Sequence, residues 1–338
     1  MKPLSKWAAL SLCFCCACVA ADGTSRPDDH APIGVMIGVM IGVMGDHNHE
    51  KGKWMISYRY MLMQMQGNRN GSDRMKTSEV LMSGTGNYQV SPTEMDMAMH
   101  TVGLMYAPTE NLTLMAMIPY IDNSMDHETA MGGMFSTQSS ELGDISLTAL
   151  SSLGGELLWQ LGLSIPTGDL DQEDLTPMGN AVLPYPMQIG SGTFNLIAGL
   201  GHGVKRDHDS YGFQVRGIMP LGENDENYSV GNKFTATGWY ARKLNHNVSV
   251  SIRGLYEFRD NYDGNDPRYA MAQAVNLVPT LDPNLRGGSR LDIALGANWL
   301  LSSGHRLSLE YHLPAWQDLD GPQLETDSVL TFGWQLAF

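Results

Sequence analysis

Residues 328–338 read SVLTFGWQLAF. Leu330, Phe332, Trp334, Leu336 and Phe338 fall on one face, and Thr331, Gly333, Gln335 and Ala337 on the other. A strict period of two over this length marks a β-strand with one face in an apolar medium. The strand ends on an aromatic residue. Barrels of the bacterial outer membrane carry aromatic girdles at both interfaces, and their closing strand must be paired on both edges. The stretch therefore predicts the last strand of a barrel. A soluble sandwich is its rival, because sandwiches also contain alternating strands.

Working back along the chain, the same alternation recurs. Segments 54–66, 93–106, 112–121, 143–152, 156–166, 189–201, 211–220, 230–242, 248–259, 290–301, 305–313 and 328–338 predict twelve strands. Val248, Val250, Ile252, Tyr256 and Phe258 form one apolar face, and Leu291, Ile293, Leu295, Trp299 and Leu301 another. Each segment has about the length a tilted strand needs to cross the hydrocarbon layer. Segment 230–242 has mixed faces, with Lys233 and Trp239 on one side. The connections 67–92, 122–142, 167–188, 260–289 and 314–327 are long. Those around APTEN (107–111), LGG (153–155), LNHN (244–247) and SSG (302–304) are short. Links 202–210 and 221–229 are of similar length and blur the pattern. Long and short connections in alternation predict an all-β, antiparallel up-and-down transmembrane β-barrel over 54–338, of bacterial outer-membrane type. The expected location is the outer membrane of a Gram-negative bacterium, with both termini in the periplasm.

The first residues agree with export. Lys2 and Lys6 precede an apolar run, Trp7 to Ala21, and VAA (19–21) offers small residues for cleavage, so 1–21 reads as a signal peptide. Lipidation at Cys18 is the alternative, but Cys15 stands where such a site would have Leu. All four cysteines (Cys13, Cys15, Cys16, Cys18) lie in this segment, which leaves a chain from Asp22 onward without disulfide, cysteine zinc site or thiol nucleophile. Taking Lys2 and Lys6 from 21 basic residues leaves 19 against 36 acidic ones, a net charge of −17, which argues against nucleic acid as a partner. No run of eighteen apolar residues follows the signal, so no membrane helix is expected. Mean hydropathy is −0.19, which suits a barrel, where only alternate residues meet lipid. Residues 22–53 read as a periplasmic tail. IGVM occurs in tandem at 33–36, 37–40 and 41–44, followed by DHNH at 46–49. A lumen plug or periplasmic contact is the alternative for this tail.

If the apolar faces meet lipid, the other faces line the lumen. Trp54, Ile56, Tyr58, Tyr60 and Leu62 point outward, leaving Met55, Met61, Met63 and Met65 inside. By the same rule Met95, Met97, Met99 and Met105, then Met115 and Met117, face inward on the next two strands. Thioether sulfur suits Cu(I) or Ag(I) and needs no deprotonation. His47, His49, Met97, Met99, Met125 and His127 are the candidate ligands for such an ion. Methionine is also a flexible apolar filler, and a lumen of this size can be filled in part by side chains. No other cofactor is expected. His100 follows Met99 and should point outward, which demands a place near the girdle. The opposite wall is charged: Arg216, Arg253, Glu257, Arg290, Asp292, Arg306, Glu310 and His312 fall on inward faces. They form either a ladder of ion pairs or a selective polar pathway. DNYDGNDP (260–267) lacks the spaced ligands of a known calcium loop. A lipase is the enzymatic option, but no GxSxG occurs and His312 should lie inside, away from lipid. The chain is not expected to be an enzyme.

LGDISL (142–147), SIPTGD (164–169), IGSGTFNL (189–196) and LPAWQDLDGPQL (313–324) resemble segments of the outer-membrane family named for the MetA pathway of phenol degradation. The resemblance covers roughly 143–338 and implies an outer-membrane barrel of transporter type. The methionine-rich third, 54–134, is similar to a subset of such proteins only. The reading is thus a passive channel or transporter for a small solute. The alternatives are a copper or silver binding or efflux-associated barrel and a structural barrel with a closed lumen. Its expected partners are outer-membrane lipid and lipopolysaccharide, the barrel assembly machinery through the C-terminal strand, and the solute or ion.

Overall fold

The computed structural model describes residues 50–153 and 156–338. The tail motifs IGVM and DHNH, with His47 and His49, lie outside the described residues. Extended backbone takes the alternating segments into eleven barrel strands. They are β1 (Trp54–Gly71), β2 (Val90–Thr109), β3 (Leu112–Thr129), β4 (Ile145–Ser152), β5 (Leu157–Ile165), β6 (Asn195–Lys205), β7 (Asp209–Pro220), β8 (Lys233–Lys243), β9 (Val248–Arg259), β10 (Gly288–Leu300) and β11 (Arg306–Ala337). Each pairs antiparallel with the next, and β11 returns to β1. At the seam the Trp54 N–H donates to the Phe338 carbonyl and the Phe338 N–H to the Trp54 carbonyl, both at 2.9 Å. The two ends of the barrel chain therefore meet at one rim, and no sheet edge is left open to lipid. Among the described residues no helix is long and apolar enough to cross a membrane.

The strand count is eleven and not the expected twelve only because segments 305–313 and 328–338, each of which crosses the barrel, run together as β11, 32 residues long. Straight, such a strand would reach about 105 Å, against a hydrocarbon core of about 30 Å. It folds back on itself instead. Residues 306–319 pair with β10, and residues from 319 onward pair with β1. The Gln317 side chain donates to the Thr326 carbonyl at 2.9 Å and accepts from the Thr326 N–H at 3.0 Å, tying the two halves together. Segment 122–142 is likewise not a loop. There β3 runs on to Thr129 and pairs with a strand at Met134–Leu142.

The loop alternation becomes sharper than the sequence suggested. Residues 206–208 form the tight turn between β6 and β7, whereas 221–232 is a long connection. Tight turns thus share the rim with the termini, and long loops crown the other rim, the extracellular one in barrels of this type. The outer surface is an apolar belt: Leu104, Ile118, Leu161, Ile252, Ile293 and Leu309 are all exposed there. His100 does point outward. Its Nδ1 lies 2.7 Å from the Tyr58 hydroxyl, its ring stands 5.0 Å from that of Tyr60, and it faces Tyr120 across the ladder. It is part of the aromatic girdle. Trp239 and Lys233 both face inward, and Trp239 lies over Gly212, where any Cβ would come within 2.6 Å of the indole. A glycine partner is what lets a large ring share the polar face.

Candidate functional site in the barrel lumen

Directly paired residues of adjacent strands point the same way, so register alone places the methionines. Met55 pairs with Met105, Met61 with Met99, Met63 with Met97 and Met65 with Met95. On the far side of β2, Met105 pairs with Met115 and Met95 with Met125. Two rows of three thioethers therefore cross three strands. Met115 and Met117 pack with Leu150 and Met105 toward the rim of tight turns. Met95 and Met125 pack with Leu183 and Met187, and with Met65, Met97 and Leu324 around them, toward the extracellular mouth. Beyond the girdle, His127 stacks on Phe135 at 4.6 Å. Burial pulls its pKa down to about 4, so the ring is neutral. Its Nδ1 has no hydrogen-bond partner. Among the described residues no group of three or more His, Cys, Asp or Glu is placed to hold a metal ion.

The charged wall follows the expected parity. Arg253 grips Glu310 with two bonds, Nη2 to Oε1 at 2.5 Å and Nε to Oε2 at 3.2 Å. His312 Nε2 lies 2.6 Å from the same Oε1. Arg290 Nε sits 2.9 Å from Asp292 and its Nη1 donates to Thr326 Oγ1 at 2.6 Å. Glu257 takes Lys233 at 2.8 Å and Arg259 at 3.7 Å. Arg306 is buried on the face of Ser308 and Glu310, and Arg216 faces Thr235.

The mouth is narrowed by a tongue, residues 166–194, whose Leu183 and Met187 are the side chains that dock on Met95 and Met125. Ser139 Oγ donates to the Met187 carbonyl at 2.7 Å. The tongue is anchored by three of the four segments singled out in the sequence. Asp144, from LGDISL, accepts from the Gly168 N–H at 3.0 Å, the Ser191 N–H at 3.0 Å and the Ser191 hydroxyl at 2.5 Å. Thr167 Oγ1 donates to the Gly143 carbonyl at 2.8 Å, and Asn195 Nδ2 donates to Ser191 Oγ at 2.8 Å. Gly168 and Gly190 cross so closely that a Cβ on Gly190 would stand 2.1 Å from the Gly168 carbonyl oxygen. In the fourth segment, Gly321 packs on the Arg69 carbonyl with no room for a Cβ.

Sequence reasoning missed the roof above this mouth. Tyr185, Tyr228, Tyr269 and Leu281, from three different loops, form a buried cluster with Tyr262. Burial pushes the Tyr185 hydroxyl up to about 12, and that hydroxyl accepts from the Asp266 N–H at 3.0 Å. Loops carry no periodicity, so only the spacing of tyrosines in otherwise polar segments could have hinted at it. Against the wall, beside the loop residues Arg286 and Gly287, remains a cavity of about 160 Å³. Met63, Met65 and Leu324 border it, with Lys233, Arg259, Arg286 and Arg290. Lys233, Arg259 and Arg286 were not among the expected wall residues.

An apolar belt outside, paired charges inside and a mouth narrowed by its own loops define an outer-membrane β-barrel. More narrowly, the chain belongs to the family described as "Putative MetA-pathway of phenol degradation", whose model matches residues 83–299. The match takes in most of the methionine-rich strands, which the sequence resemblance did not reach, and ends before LPAWQDLDGPQL. No curated protein matches the chain. Among solved structures, the COG4313 outer membrane channel from Pseudomonas putida F1 aligns over 88% of this chain and 100% of its own, with TM-score 0.59 and 11% identity. The P. putida toluene transporter TodX aligns over 85% and 90%, with TM-score 0.44 and 9% identity. A Pseudomonas aeruginosa FadL homologue aligns over 86% and 90%, with TM-score 0.40 and 10% identity. At such identities the likeness is one of fold.

Proposed function

We propose that the protein is a passive channel of the outer membrane for a small solute. The observation that carries this reading is the cavity inside the mouth. A barrel built only as a scaffold gains from a filled interior, yet here the loops fold in and leave a polar chamber lined by charges. The description of the COG4313 barrel as a channel supports the same reading. In planar bilayers the purified barrel is expected to give discrete conductance steps, small ones because the tongue narrows the mouth. Absence of steps together with absence of liposome swelling would point to the structural barrel with a closed lumen.

A second reading, binding of Cu(I) or Ag(I), has one observation in its favour. The neutral His127, with its free Nδ1, lies two residues from Met125, which faces Met95. Its test is competition for Cu(I) with a chromogenic chelator. The wild type is expected to retain copper that M95L/M125L loses. Equal retention by the two proteins would end this reading.

A further inference from the structure

The chain carries a net charge of −15, yet its mouth cavity is cationic. Lys233, Arg259, Arg286 and Arg290 all border it, and Glu257 is the carboxylate among the bordering residues. Glu257 is shared between Lys233 and Arg259, and Arg290 is engaged by Asp292. Arg286 is different. Its backbone N–H donates to Asn261 Oδ1 at 2.8 Å, but Nε and Nη2 of its side chain are buried without a hydrogen-bond partner. Burial lowers its pKa to about 10, which leaves it charged at neutral pH. Two buried guanidinium nitrogens without an acceptor are costly, although the Asp282 carboxylate acts on the group at longer range. Its fork of donors matches a carboxylate or a phosphate, and the carboxylate, the smaller of the two, leaves more of about 160 Å³ for the rest of the molecule.

The rest of the border joins the apolar side chains of Met63, Met65, Leu319 and Leu324 to Ser289, Gln317, Gln323 and Thr326. These polar side chains already have protein partners: Gln317 with Thr326, Gln323 with Gly287, Thr326 with Arg290 and Ser289 with Tyr256. A volume of about 160 Å³ is close to that of an engineered cavity of about 150 Å³ known to hold benzene. A bare inorganic anion would satisfy the guanidinium and leave the apolar side empty. We propose that this cavity binds a small organic monoanion, a carboxylate on an apolar body about the size of one ring. Its head lies on Arg286 and its body on the Met63–Met65 and Leu319–Leu324 side. The proposal rests on the channel reading for its part in passage, but binding can be measured without passage.

The experiment is calorimetric titration of the full barrel in non-ionic detergent at low salt, with benzoate, benzyl alcohol, benzylammonium and inorganic phosphate as probes. Benzoate is expected to bind, benzyl alcohol and phosphate at least about tenfold more weakly, and benzylammonium not at all. R286Q should weaken benzoate by about tenfold or more, the loss of a charge-assisted hydrogen bond. E257Q should tighten it, because removing the one bordering carboxylate frees Lys233 and Arg259. A folding defect weakens binding and cannot tighten it, so the opposed signs separate the site from damage. Heat-modifiable migration checks that each variant is a closed barrel. Benzoate bound no better than benzyl alcohol or phosphate, or unchanged by R286Q, would overturn the proposal. Conductance without benzoate binding sinks this proposal alone, and benzoate binding without conductance sinks the channel alone.

Discussion

Replacing Glu310 by alanine is expected to destabilise the barrel by about 3–5 kcal/mol, the range for removing one partner of a buried ion pair. The side chains of Arg253 and Glu310 are 2% and 1% exposed. Glu310 takes both Arg253 donors and His312, and Thr237 Oγ1 lies 3.5 Å from Arg253 Nη1. The network therefore ties β8, β9 and β11 across the inner wall. Without the carboxylate, Arg253 is left in a dry wall with only neutral acceptors. The pair itself need not stabilise the fold, because the desolvation of both ions offsets their attraction. R253L/E310L is accordingly expected to fall within about 1 kcal/mol of the parent. Denaturant unfolding in detergent micelles, read by heat-modifiable migration, gives all three values. A single variant as stable as the parent would show that water reaches the pair.

The membrane part of this fold is legible because lipid imposes a period of two on sequence. That rule placed Leu104 and Ile293 outside and Met95, Arg253 and Glu310 inside, and the ladders pair them accordingly. Legibility stops where lipid stops. Residues 122–129 and 134–142 are strand, but their inner face mixes Met125 with Asn123, Thr137 and Ser139, all buried, so no hydrophobic alternation marks them. The same holds for 314–327, whose polar residues and Gly321-Pro322 read as a loop but form the fold-back of β11. Pairing there is carried by backbone bonds, which any residue but proline supplies. The cavity was half legible. Arg290 and Glu257 fall on an inward parity, and Lys233 faces Arg259 directly across the ladder. Two like charges opposed on one face are destabilising unless something sits between them, and that is a signal sequence reading could have weighed. Arg286 stands in a loop, where no parity exists to place it.

The other large effect is expected at Asp144. Asp144→Ala should free the tongue 166–194 without opening the barrel. Asp144 holds two backbone N–H groups and one hydroxyl from residues 168 and 191, the two ends of the tongue. A hydrogen bond to a charged group contributes about 1.5–3 kcal/mol. Losing three, even with water replacing part of each, costs the closed position about 3 kcal/mol. Every 1.4 kcal/mol is about tenfold in population, so the open fraction should rise by about two orders of magnitude. The tongue is not then adrift. Leu183 and Met187 remain docked on Met95 and Met125, and a buried side chain of this kind contributes about 1.5–3 kcal/mol. The variant should therefore show bursts of larger conductance over a closed baseline. Asp144→Ala combined with Met187→Ser should stay open. Limited proteolysis should cut both variants within the hairpin Glu173–Val182 and spare the wild type. Asp144→Asn keeps one acceptor and should fall between wild type and alanine. Barrel stability should not follow this order, because Asp144 lies outside the strand ladders of β4 and β5, which begin and end at Ile145 and Ile165. Larger conductance without new cleavage would mean that the pore widens elsewhere, and new cleavage with unchanged conductance would mean that the tongue does not gate it.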